Sequence, residues 1–136
     1  MARPSTFQRP ASQANPRFES WSGALAKVHA GLPALLRQNR AFFAARGPAA
    51  VEERGKLAAA IDQFEKERIS EVEDAAAALD EAGKRIAGDY VRQLRRMAAD
   101  LRAKEFEGAV DAGVLAERYR LAALEQEIAA RLTGPR

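Results

Sequence analysis

From Leu57 onward the inward-facing positions run Leu57, Ile61, Phe64, Arg68, Val72, Ala75, Leu79, Gly83, Ile86, Tyr90, Leu94, Met97 and Leu101, with Arg68 the one residue badly out of character. The steps of three and four average about 3.67, an eleven-residue periodicity that favours straight or slightly right-handed helix packing. No proline follows Pro48 until Pro135, so the pattern predicts one helix over 48–107. Such a helix would span roughly 90 Å at 1.5 Å per residue, whereas a compact chain of this length has a radius of gyration of about 14 Å. Either the helix breaks, with Gly83 and Gly88 as its weakest points, or the molecule is a rod.

Apolar positions three and four apart also flank this stretch on both sides. Leu25, Val28, Leu32, Leu35 and Phe42, with Leu36 and Phe43 beside them, predict a helix over 20–46 that starts at Ser20 or Ser22 as N-cap. Asn39 interrupts its stripe, and Pro33 should kink or split it near residue 31. Gly47-Pro48 then closes one helix and opens the next, because glycine suits the left-handed position past a helix end and proline the first helical position. Val114, Leu121, Leu124, Ile128 and Leu132, with Leu115 and Tyr119 alongside, predict a last helix over 111–132 with Asp111 as a possible N-cap.

Residues 1–19 read as an extended arm, since Pro4, Pro10 and Pro16 oppose helix and strand alike. These prolines also spoil the amphipathic helix that a transit peptide needs, and no apolar signal-peptide core is present. The expected architecture is therefore all-α: a long central helix with shorter helices folded back at each end, coiled-coil-like, behind an extended N-terminal arm. The arm is 1–19 and the helical domain 20–136.

Two outer helices of these lengths cover only about 70 Å of the central one. The middle, "DAAAALDEAGKRIAG", would stay bare, and a bare apolar stripe implies a second copy or another subunit. The expected interface is Ala75, Leu79, Gly83 and Ile86, with Trp21 and the arm's only large apolar residues, Phe7 and Phe18.

Charge adds a second surface. Residues 1–51 hold seven Lys/Arg against Glu19 alone, +6, whereas residues 52–136 hold fifteen against eighteen acids, −3. The expected basic surface is Lys27, Arg37, Arg40 and Arg46, facing an acidic partner: another subunit, lipid head groups or nucleic acid. A basic helix carrying Trp21, Phe42 and Phe43 also suits a membrane interface. Along the central helix, acids stand four residues before bases at Glu52/Lys56, Asp62/Lys66, Asp80/Lys84, Glu81/Arg85 and Asp100/Lys104. Such spacing suits ion pairing on a solvated face, so no nucleic-acid face is expected there.

Catalytic and cofactor chemistry finds little to work with. There is no cysteine and one histidine, His29, which rules out thiolate and two-histidine metal sites within one chain and offers no Glu-x-x-His repeat. No phosphate loop occurs, and no run of about 18 apolar residues is present. The expectation is a protein without catalytic, metal or cofactor sites, in the cytoplasm or within a virion or other assembly. It would act as a structural or scaffolding subunit, as a virion-internal, capsid-associated or secretion-apparatus component does, with lipid binding and phosphate contact as the alternatives.

Overall fold

The computed structural model describes residues 16–107 and 110–133, and among them all regular structure is helical. Helix α1 (Pro16–Ala44) leads into α2 (Pro48–Gln63), a π-helical segment (Phe64–Ile69) and α3 (Ser70–Ala77). After a tight turn come α4 (Glu81–Arg102), α5 (Ala112–Arg118) and α6 (Leu121–Thr133).

Four rods pack side by side in an up-down-up-down bundle: α1, the α2–π–α3 arm, α4, and α6 with α5 at its head. Lys27 meets Glu71 and Gln38 meets Glu53, which sets α1 antiparallel to the arm. Arg102 reaches Asp62 while Arg95 reaches Glu73, so α4 runs back along that arm. Tyr90 meets Glu125 and Tyr119 meets Asp100, so the last rod returns beside α4. The core runs the full length, from Trp21 through Val28, Ile61, Ile69, Leu94 and Met97 to Leu115 and Ile128.

The central stripe is inward-facing as its spacing predicts, but the single helix over 48–107 is not formed. The chain folds back at Ala78–Asp80, where Asp80 adopts an extended conformation and accepts a hydrogen bond from the Gly83 amide at 2.8 Å. This is N-capping, which satisfies a free donor of the new helix. Gly83 and Gly88 lie inside α4 and do not break it. The misfit at Arg68 is also resolved. The π segment accommodates one extra residue, with Ser70 Oγ donating to the Glu65 carbonyl five residues back at 3.3 Å. Ile69 thereby takes the buried position, and Arg68 turns half out toward Glu71.

Other boundaries shift for local reasons. α1 begins at Pro16, whose fixed φ suits a first helical turn, so residues 16–19 are helical and not part of an extended arm; residues 1–15 lie outside the described residues. Pro33 sits within α1 without splitting it. Gly47, at φ 62°, forms the turn ahead of Pro48, as its place in the sequence requires. The helix expected over 111–132 is divided at Tyr119–Arg120, where Arg120 takes a left-handed φ of 59° and Tyr119 turns in against Phe106. Asp111 caps α5 through the Val114 amide at 2.8 Å, leaving Val114 itself 51% exposed and Leu115 in the core.

Candidate functional site

The expected subunit interface is occupied by the chain itself. Because α4 folds back along α2–π–α3, Ala75, Leu79 and Gly83 are buried within the bundle and Ile86 packs half-buried against it. A Cβ placed on Gly83 would stand 3.1 Å from Leu79 Cβ, so the close approach allowed by this glycine is to the chain's own turn. Trp21 is only 1% exposed, edge to face with Tyr90 at 5.6 Å, and is thus withdrawn from any partner or lipid surface. Phe7 and the Phe18 side chain lie outside the described residues.

The basic surface is divided in its roles. Lys27 pairs with Glu71 at 2.9 Å, and Arg46 donates to the Phe43 and Ala45 carbonyls at 3.0 and 2.9 Å, closing the end of α1. Arg37 and Arg40 are exposed, with no ion pair among the described residues.

Pairing along the stretch expected as one central helix differs from its sequence spacing, and Asp62, Asp80 and Asp100 take partners from other elements. Asp62 takes Arg102 at 2.5 Å, Asp80 caps α4 and meets Arg131 at 3.6 Å, and Asp100 accepts the Tyr119 hydroxyl at 2.5 Å. Lys56 pairs with Glu53 at 3.4 Å, and Gln38 holds the Glu53 carboxyl below its ordinary range.

A cluster of titratable groups that joins three helices centres on Glu125. Its Oε2 accepts the Tyr90 hydroxyl at 2.6 Å and contacts His29 Nε2 at 2.8 Å, joining α4, α6 and α1 at a single carboxylate oxygen. Burial first, and the Glu125 bond second, raise the Tyr90 hydroxyl far above its ordinary range, so it donates throughout physiological pH. His29 is 57% exposed at the mouth of a shallow hollow of about 290 Å³ walled by Leu32, Ala112, Ala116 and Leu121. The cluster ties three helices together. Sequence spacing carries no sign of it, since His29 and Glu125 are 96 residues apart.

Asn39 is a second polar tie. It is fully buried and donates to the Phe106 carbonyl at 2.8 Å, anchoring the segment after α4 to α1. Among the described residues no group of three or more His, Asp or Glu side chains is arranged to hold a metal, and no helix is long and apolar enough to cross a membrane.

The bundle leaves two surfaces of note. At the hinge between α1 and α2, Phe42 and Phe43 stack edge to face at 4.9 Å, both half-buried, and Val51 on α2 is 66% exposed. Along the outer side of α4 stands a row of arginines and a lysine. Comparison of the chain with models of protein families, with characterised proteins and with solved structures finds no match.

Proposed function

We propose that this chain is a non-enzymatic structural subunit of a larger assembly, working through contacts between helical surfaces. The observation that carries this reading is the hinge end of the bundle. There one hairpin keeps a large apolar residue, Val51, in solvent and carries a half-buried phenylalanine pair, with Arg46 and Arg54 exposed. Aromatic residues accompanied by arginine are what protein interfaces favour over the remaining surface. The occupant assigned to this end is a second copy of the chain, because a patch at the tip of a bundle can face its own twofold image. Virion-internal, capsid-associated and secretion-apparatus components are the kinds of assembly that such a small helical subunit suits.

Light scattering after gel filtration, over a range of protein concentrations, tests this reading. The expected result is a mass above that of one chain, returned to that of one chain by Val51→Asp with Phe43→Ser while helicity is kept. A single-chain mass at every concentration would refute self-assembly through this end.

A further inference from the structure

The outer side of α4 carries more positive charge than its sequence neighbours suggest. Lys84, Arg85, Arg92, Arg95, Arg96 and Arg102 are all exposed, and at 3.6 residues per turn they fall within an arc of about 120°. The row extends for roughly 27 Å of straight helix. Against these six bases, α4 holds Glu81, Asp89 and Asp100. Glu81 stands at the N-terminal end of the row, Asp89 pairs with Arg92, and Asp100 is turned to Tyr119. Arg95 and Arg102 are engaged by Glu73, Asp62 and Glu65 of the neighbouring arm.

Lys84, Arg85 and Arg96 are left in no ion pair among the described residues. The fold produces this shortage of acids. Asp80, which stands four residues before Lys84, is committed to capping α4 and to Arg131, and Asp100 to a tyrosine.

We infer that this side of α4 is a sequence-independent binding face for the phosphate backbone of a double-stranded nucleic acid. Its chemistry favours that occupant over an acidic protein. Between the bases stand only Gly88 and Ala99, so the row has small gaps for a backbone to enter and no large apolar anchor of the kind a protein partner's interface core needs. It has no aromatic on which the bases of a single strand could stack. Arginine and lysine in a row without such features contact phosphates, which position a duplex without reading its sequence. This inference is independent of self-assembly through the hinge.

The test is fluorescence anisotropy with a labelled mixed-sequence duplex of about 20 base pairs, titrated with the full chain. With three free cations on phosphates, affinity should fall about 40-fold between about 50 and 200 mM salt. Lys84→Glu with Arg85→Glu and Arg96→Glu should lower affinity roughly tenfold or more, well beyond the effect of Arg37→Glu with Arg40→Glu on α1. The milder Lys84→Gln, Arg85→Gln and Arg96→Gln set should flatten the salt dependence, and circular dichroism should read the same helicity in every variant. Undiminished binding by the α4 charge reversal, or salt-independent binding, would overturn the assignment. Displacement of the duplex by polyglutamate at equal charge concentration would also overturn it and mark the face as one for acidic polypeptides.

Discussion

Tyr119 shows what a single side chain contributes. Its ring lies edge to face with Phe106 at 6.4 Å, and its hydroxyl donates to Asp100 at 2.5 Å. Burial first, then the bond to Asp100 and that carboxylate's charge, push its pKa up to about 12 from an ordinary value near 10.0. A raised folded-state pKa means that the folded chain holds the proton more tightly. The associated stability is fully present below about pH 10 and lost as pH rises through about 12. Tyr90, raised further for the same reasons, acts in the same direction. The expected outcome of an alkaline titration is therefore that neither tyrosine shows phenolate absorbance near pH 10 while the chain is folded. Helicity should fall together with the appearance of phenolate above about pH 11. Ionisation of both in the ordinary range, with helicity intact, would contradict the structure. None of these polar partners is legible in the sequence, where Asn39 reads as a flaw in an apolar stripe. Its role depends on the Phe106 carbonyl 67 residues away, and local spacing carries no such information.

Elements were more readable than residues. Apolar spacing identifies the buried side of every helical stretch from Leu57 to Leu101, and even the exception is informative, since Arg68 marks the place where the π segment substitutes Ile69. The sharp turn at Ala78–Asp80 is hidden for a physical reason. Alanine-rich sequence carries on the helical pattern across it, no glycine or proline stands in it, and Asp80 is equally suited to an ion pair with Lys84 and to a cap. Tertiary packing of α4 on the arm decides between them. This turn makes a prediction about Gly83. In an isolated helix, Gly83→Leu would help by up to about 1 kcal/mol. Here its Cβ would stand 3.1 Å from both Leu79 Cβ and Asp80 Oδ1, and such overpacking typically costs about 1–3 kcal/mol. Asp80→Ala should cost about 0.5–2 kcal/mol through the lost cap. Urea melts should show both losses, with the mass by light scattering unchanged from that of the wild type. A lower mass in Gly83→Leu would place Gly83 at a contact between chains.

At the scale of the molecule, the rods differ in charge. The α2–π–α3 arm holds eight acids against four bases, whereas α4 holds six bases against three acids. Composition alone shows an excess of positive charge in the first third of the chain, but the second basic helix emerges only when 48–107 is folded in two. The up-down-up-down order also brings the start of α1 and the end of α6 to the same pole, beside the Asp80 turn that Arg131 reaches. The hinge with Phe42, Phe43 and Val51 stands at the opposite pole.

That placement has a mechanical consequence. Tension applied between residue 16 and residue 133 would load the α1–α6 seam from one end. The helices would peel apart a turn at a time, and whole rods would not have to slide past each other. The tie at Glu125, where His29 and Tyr90 meet, would be among the first cross-links to carry the load. Held in optical tweezers by these two positions, the bundle should yield at a lower force than when held by residues 16 and 46, which stand at opposite poles of α1. Equal forces in the two geometries would mean that the seam does not open first.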